Sequence, residues 1–220
     1  MRLRAFPAPP FDENAYLLSC DDTQETVVID PGDGTSALIR HAKAAGVSVK
    51  AILLTHAHID HITGVGLAKA TFEAPVYLHP ADQFLYDAVV EQGRMFGIPV
   101  SPQPPIDQPL TSGMTFQVGR LTIRVHETPG HSPGHVVFEV QQPGGAIDLI
   151  VGDTLFAGSI GRTDLPGGDH ATLIDSIKRV LLSFPDDVPV HPGHYGATTI
   201  GKERYENPFL RSGNVADAQN

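Results

Sequence analysis

The apolar run Ala51-Ile52-Leu53-Leu54 leads straight into Thr55-His56-Ala57-His58-Ile59-Asp60-His61, and this junction constrains the fold more than any other stretch. The run reads as a buried strand, aliphatic throughout. Ionisable side chains cannot continue it into hydrocarbon, because burying an unpaired imidazole or carboxylate is strongly unfavourable. The strand must therefore stop at a polar edge. There His56, His58, Asp60 and His61 read as metal ligands, projected in alternation from a strand end into one edge cavity. A helical motif such as H-E-x-x-H would space its ligands differently. A purely structural role would need a separate hydrogen-bond partner for each of these groups in an apolar setting.

Composition limits what surrounds that site. A chain of 220 residues, 41% hydrophobic and 18% charged, can form one large core, so a single domain over residues 1–220 is expected. No apolar run approaches the roughly 18 residues of a membrane span, and Met1-Arg2-Leu3-Arg4-Ala5-Phe6-Pro7 lacks the apolar region of a secretory signal. Neither a membrane partner nor export is expected. Cys20, the single cysteine, cannot close an internal disulfide and reads as a small buried hydrophobe, which suits a cytoplasmic location. A net charge of −10 opposes phosphate backbones, so nucleic-acid partners are excluded.

Strand and helix signals alternate along the chain. Asn14 to Cys20 and Thr26 to Ile29 read as an early hairpin around Asp21-Asp22-Thr23-Gln24. Ser36 to Ala45 carries helical periodicity and Gly46 suits a C-cap before the strand Val49 to Leu54. Helices are predicted over Ile62 to Phe72 and Ala81 to Gln92, around the strand Val76-Tyr77-Leu78, with Pro99 to Pro109 as a connector. After it come a hairpin of Met114 to Val118 and Leu121 to Glu127, strands Val136 to Val140 and Ile147 to Val151, and an Asp169-capped helix to Phe184. In that helix Leu173, Ile174, Ile177, Val180 and Leu181 form one apolar stripe, as a helix covering a sheet requires.

The first cluster cannot fill two coordination spheres, and further candidates also lie where strands end. His131 stands in the turn Thr128-Pro129-Gly130-His131-Ser132-Pro133-Gly134-His135. Asp153 follows Leu149-Ile150-Val151-Gly152, and His194 follows Val188-Pro189-Val190 within His191-Pro192-Gly193-His194. Singly, each is ordinary turn chemistry; jointly with the first cluster they point to one site.

These segments, in this order and with the His-x-His-x-Asp-His motif intact, resemble the metallo-beta-lactamase superfamily over nearly the whole chain. The resemblance implies an α/β (α+β) fold, the αβ/βα four-layer sandwich, with a metal site at the sheet edge where two halves meet. It implies two divalent metal ions per chain, zinc first and iron or manganese as alternatives. One metal would take His56, His58 and His131, the other Asp60, His61 and His194, with Asp153 bridging. Asp30 would orient a ligand imidazole, a role compatible with its place before the turn Pro31-Gly32. Gly152 to Asp169 and the tail from Thr198 to Phe209 are similar to type II glyoxalases, the hydroxyacylglutathione hydrolases, and especially to their short bacterial relatives. Only residues 195–220 follow His194, whereas the longer members continue into a helical domain that supplies much of the glutathione site. The first metal's set contains no cysteine, nor does the second's, which disfavours antibiotic hydrolysis.

The activity implied is hydrolysis of a thioester, S-lactoylglutathione or a related acyl thioester, by attack of a metal-bridging hydroxide. A thiolate whose parent pKa is about 8.5 leaves without a strong acid. Asp60 would orient that hydroxide as well as bind metal, acting as the catalytic residue. A competing resemblance is to mononuclear iron persulfide dioxygenases, with His56, His131 and Asp153 as a two-His, one-carboxylate face. A metal-binding module without catalysis is a third reading. His135 is expected beside the ligands or at the surface, and His41, His79, His126, His170 and His191 are expected to be ordinary. Arg162 could bind a substrate carboxylate or pair with Asp164, with pairing favoured; Tyr195 could line the pocket; Met95 and Phe96 are expected in core or lid packing.

Overall fold

Along residues 27–29 and 51–54, successive side chains go to opposite covers, and this alternation builds the layers. Val27, Ile29, Ala51 and Leu53 pack with Ile123, Val125, Phe138 and Ile150. Val28, Ile52 and Leu54 instead join Leu38, Ala42, Ile62, Val65 and Ala68. The second half repeats the arrangement, with Val137, Leu149 and Val151 turned away from the first half onto Leu173 and Ile177. Strands covered on both faces cannot show a polar alternation, which is why they read as continuous apolar runs.

The computed structural model describes residues 1–211, so residues 212–220 of the expected 1–220 domain lie outside the described residues. The first half runs β1 (Arg2–Ala8), β2 (Glu13–Ser19), β3 (Glu25–Ile29), α1 (Thr35–Ala45), β4 (Ser48–Leu53), α2 (Ile59–Ile62), α3 (Val65–Phe72), β5 (Val76–Leu78), α4 (Gln83–Asp87), α5 (Val89–Phe96) and β6 (Gln108–Pro109). The second runs β7 (Thr115–Val118), β8 (Leu121–Glu127), β9 (Val136–Gln141), β10 (Ile147–Gly152), β11 (Leu155–Phe156), β12 (Ser159–Ile160), α6 (His170–Arg179), β13 (Pro189–Pro192), β14 (Thr198–Thr199) and α7 (Ile200–Glu206). Two six-stranded sheets result, ordered β1-β2-β3-β4-β5-β6 and β14-β13-β10-β9-β8-β7, and β11-β12 forms a small hairpin. Helices α1 and α3 cover the first sheet and α6 the second, which is the four-layer αβ/βα sandwich.

Several elements differ from the sequence-based expectation, and β6, β11, β12, β14 and α7 have no counterpart in it. Strand β1 was not foreseen, because its edge position leaves it largely exposed and Pro7 breaks its pattern. The helix predicted from Ile62 starts a second time at Val65, after Thr63 and Gly64, where Gly64 N–H donates to Pro31 O at 2.8 Å. The helix predicted over Ala81 to Gln92 is a 3₁₀ turn, α4 and α5, broken at Ala88 and continuing to Phe96. Helix α6 is capped as expected by Asp169, which accepts from Thr172 N–H at 2.8 Å, but it stops at Arg179 before a 3₁₀ turn.

Candidate metal centre

Strand β4 ends at Leu53, and after Leu54, whose N–H still donates to Tyr77 O at 3.0 Å, the N–H groups of Thr55, Ala57 and Ile59 turn away from the backbone ladder. Side chains supply the acceptors instead. Thr55 N–H donates to Asp30 Oδ1 at 2.7 Å, Ala57 N–H to Asp82 Oδ2 at 3.1 Å, and Ile59 N–H to Gln92 Oε1 at 3.0 Å. Extended His58 then opens α2, with His61 N–H donating to His58 O at 3.1 Å. This corrects the sequence expectation. The ligands do not alternate from a strand; His56 and His58 lie on a loop, and Asp60 and His61 on the first turn of a short helix.

The other candidates arrive on loops tied to the first. Thr55 O accepts from Val136 N–H at 2.8 Å, joining the two sheets at the cluster. Asp82, buried, also accepts from Ser132 Oγ at 2.7 Å and Gly134 N–H at 2.6 Å, so one carboxylate clamps the His131 turn against the His56 loop. Gly193 N–H donates to Gly152 O at 2.7 Å, and Asn14 N–H to Gly193 O at 2.7 Å, which sets His194 beside Asp153. Gly152 has φ of 48°, and a Cβ there would lie 2.5 Å from Thr55 Oγ1 and 2.8 Å from His135 Nε2. Both atoms are already hydrogen-bonded. Gly152→Ala is therefore expected to destabilise the fold by about 2–4 kcal/mol, read by chemical denaturation; stability equal to the parent would contradict this packing.

All seven predicted ligands are brought together. His58 Nδ1 lies 2.8 Å from His131 Nε2, which lies 3.2 Å from His56 Nε2. His194 Nε2 lies 3.1 Å from Asp60 Oδ2, and His61 Nε2 lies 3.8 Å from the same oxygen. Asp153 Oδ2 stands between the groups, 3.6 Å from His131 Nε2 and 3.4 Å from His194 Nε2, while its Oδ1 is 3.4 Å from His61 Nε2. The sets His56-His58-His131, His56-His61-Asp153 and Asp60-His61-His194 each bring donor atoms within 4.8 Å of one another.

The tautomers follow from what each far nitrogen touches. His131 Nδ1–H donates to Arg162 O at 2.7 Å, and His194 Nδ1–H to Phe11 O at 3.2 Å, since a carbonyl only accepts. His61 Nδ1–H donates to Asp30 Oδ2 at 3.1 Å. Thr55 Oγ1 donates to the same Oδ2 at 2.6 Å and so accepts from His56 Nδ1–H at 3.0 Å. His56 and His131 thereby turn Nε2 lone pairs towards each other, 3.2 Å apart. Lone pairs of buried imidazoles facing one another at about hydrogen-bond distance repel unless a cation lies between them. His61 Nε2, His58 Nε2 and Asp153 Oδ1 are also buried without a hydrogen-bond partner. The donor set fits metal ions.

Charge divides the site in two. Burial pushes His56 well below the ordinary imidazole range and His58 down to about 3, with neighbouring imidazoles adding to the effect; burial lowers His131 as well. On the other side burial also opposes the charged forms but is overcome. Asp153 and Asp60 hold His61 well above its usual value, and hydrogen bonds to the same carboxylates bring His194 to about 9. Asp153 is held well below the carboxylate range by His61 and His194 despite burial, and Asp60 is lowered likewise. This half favours positive charge.

A sequence model of the metallo-beta-lactamase superfamily matches residues 8–194. The chain belongs to the metallo-beta-lactamase superfamily. It is 36% identical over 219 residues to the hydroxyacylglutathione hydrolase GloC of Haemophilus influenzae, covering 96% of this chain and 99% of that one. Among solved structures it is similar to BLEG-1, described as a B3 metallo-beta-lactamase, with 42% identity, a TM-score of 0.85, and 95% and 99% of the two chains covered. It is also similar to TTHA1623 in a di-iron-bound form, with 43% identity, a TM-score of 0.83, and 94% and 100% covered. The chain is thus a metal-binding member of a hydrolase superfamily.

The residues around this superfamily centre are only partly those expected. Of its two expected places, His135 takes the one beside the ligands: it is fully buried, its Nε2 accepts from Asp153 N–H at 3.1 Å and its ring stacks on His56 at 4.8 Å between centroids. Glu13, Asn14, Asp82 and Gln92 were missed. Glu13 is buried 3.8 Å from His61 Nδ1 with neither carboxylate oxygen partnered, and burial pushes its carboxyl well above the usual range. Nothing local in the sequence marks it, because its reach to the site depends on the pairing of β2 within the folded sheet. Arg162 forms two 2.7 Å bonds to Asp164, as favoured, and its carbonyl holds His131. Tyr195, at φ 65°, lines the cavity beside Phe156. His126, His79 and His191 pair with Glu139, Glu127 and Asp148 away from the site. Met95 and Phe96 are not core: they are 67% and 41% exposed. Among the described residues no helix is long and apolar enough to cross a membrane.

Proposed function

We propose that the chain is a dinuclear metal-dependent hydrolase of acyl thioesters, S-lactoylglutathione or a related compound. The observation that carries this reading is Asp153 Oδ2, placed between a triplet of neutral imidazoles and a second set containing Asp60, His61 and His194. In this reading His56, His58 and His131 would hold one cation and Asp60, His61 and His194 the other, with Asp153 available to both. Divalent cations held by these residues would supply positive charge that acidifies a bound water and polarises an acyl carbonyl. The nitrogen and oxygen donors suit zinc, iron or manganese, with zinc expected.

The chain's own residues do the positioning. Asp30, through Thr55, fixes His56, and fixes His61 directly. Asp60, at the inner wall of a cavity of about 370 Å³, can accept a hydrogen bond from the attacking water and aim its lone pair at the carbonyl carbon. The thiolate needs no proton to depart. The 36% identity to GloC supports the substrate class.

The test is metal content of protein purified without added metal, with thiol release followed on a thioester panel. Two divalent cations per chain and thioester cleavage are expected. One iron per chain with oxygen uptake on glutathione persulfide would replace this reading with the dioxygenase one, and faster cleavage of a β-lactam than of any thioester would replace it with the antibiotic one.

A further inference from the structure

Beside the metal centre lies a second pocket of about 190 Å³ that the mechanism does not use. Its walls are Phe84, Leu85 and Ala88 around the α4–α5 junction, Met95 and Phe96 at the end of α5, and Leu165 from the loop before α6. It adjoins the metal-site cavity, for His58, Gln92, Phe96 and Leu165 line both. Phe84, Met95 and Phe96 are 49%, 67% and 41% exposed, a local concentration of apolar surface that a functional pocket explains better than packing does.

Of the three polar members of this wall, His58 belongs to the metal ligand set and the other two are already committed. Gln92 accepts from Ile59 N–H and donates to Ala57 O at 3.0 Å and Leu85 O at 2.8 Å, leaving no amide function for a ligand. Those same bonds fix α5 to the His56–His61 loop, so the wall is held in place relative to the metal ligands. Glu91 is turned to Arg94 at 3.0 Å on the outside of the helix. A polar or charged group entering here would lose its hydration with nothing in exchange.

We infer that this pocket receives the acyl chain of the substrate, and that the enzyme prefers thioesters of apolar acyl groups of about six carbons. The inference rests on the thioester reading and narrows it to apolar acyl groups, away from the small hydroxylated lactoyl group. With the carbonyl at the metal centre, the two substituents must leave in different directions. A thiol carrier rich in amides and charges suits the open side, where Ser159, Arg162 and Tyr195 line the cavity. The acyl chain takes the apolar side. A cavity of about 150 Å³ lined by aliphatic and aromatic residues holds benzene, so 190 Å³ accommodates a chain or ring of about that carbon count. Met95 lends the wall an adaptable, unbranched surface.

The test is calorimetric titration of the metal-loaded full chain with acetate, butanoate, hexanoate and octanoate, alongside kcat/KM for the matching acyl thioesters. Each buried methylene should tighten binding about fourfold, so hexanoate should bind roughly 200-fold tighter than acetate, with no further gain at octanoate. Ala88→Phe, which fills the pocket, should flatten the series; Met95→Ser, at an exposed position that the fold tolerates, should lessen the gain per methylene. Equal Kd across the series, or an unchanged gain in both variants, would overturn the inference. If no thioester is cleaved while the carboxylate series holds, the hydrolase reading fails and the pocket stands. If thioesters are cleaved without chain-length dependence, the reverse is true.

Discussion

Asp60→Ala is expected to lower thioester hydrolysis on the order of 10³-fold or more and to leave the purified chain with about one divalent cation in place of two. Asp60 Oδ2 sits 3.1 Å from His194 Nε2 and 3.8 Å from His61 Nε2, in the half of the site that favours positive charge. Without it, the second set keeps two neutral nitrogens and a share of Asp153, too little negative charge to hold a dication against water. The His56, His58 and His131 triplet lies outside these contacts, so its cation should remain. Asp60→Asn separates charge from shape: it keeps an oxygen ligand and should recover part of the metal content but little activity, because a neutral amide is a poor acceptor for a reacting water. Metal analysis with steady-state kinetics on both variants checks this. Two cations in Asp60→Ala with activity within about tenfold of the parent would refute the two-metal mechanism.

How much of this was legible before folding depended on how local each signal is. The strand before His56, the Gly-rich turn around His131, and Gly152 before Asp153 all announce themselves within a few residues. So does the helix covering the second sheet, through its stripe of Leu173 and Ile177. What stayed hidden was set by tertiary contact. Helix α2 begins at Ile59 because Gln92, more than thirty positions on, accepts Ile59 N–H, and no local cap marks that start. Asp82 read as part of a helix, yet its carboxylate binds the Ala57 and Gly134 amides and becomes the joint between the ligand loops. Glu13 and Asn14 belong to β2, whose end reaches the His194 turn only once the two sheets face each other. The apolar pocket could not be foreseen either, since Met95 and Phe96 have the composition of core residues and differ from them only in what covers them.

The ligands themselves come from both sheets, and one carboxylate sets two of their tautomers. Asp30→Asn should therefore weaken metal binding by about 10- to 100-fold although it is isosteric and buried. In the parent, Asp30 Oδ1 accepts from Thr55 N–H, and Oδ2 accepts from both Thr55 Oγ1 and His61 Nδ1. An amide placed with its oxygen on Thr55 N–H turns an NH₂ towards two donors. Thr55 must rotate to accept from it, and its hydroxyl proton then points at His56 Nδ1, 3.0 Å away. That nitrogen must become the acceptor, the ring proton moves to Nε2, and the inward lone pair that faces His131 is lost. Folding should survive, because only hydrogen-bond direction has changed. Asp30→Ala, by contrast, strands the buried Thr55 N–H and should cost about 2–3 kcal/mol of stability as well. Nitrogen-15 shifts of the His56 ring in the metal-free protein distinguish the tautomers directly, and metal competition gives the affinity. An Asp30→Asn chain with His56 still protonated at Nδ1 and an unchanged metal Kd would show that the relay from Asp30 through Thr55 does not govern the site.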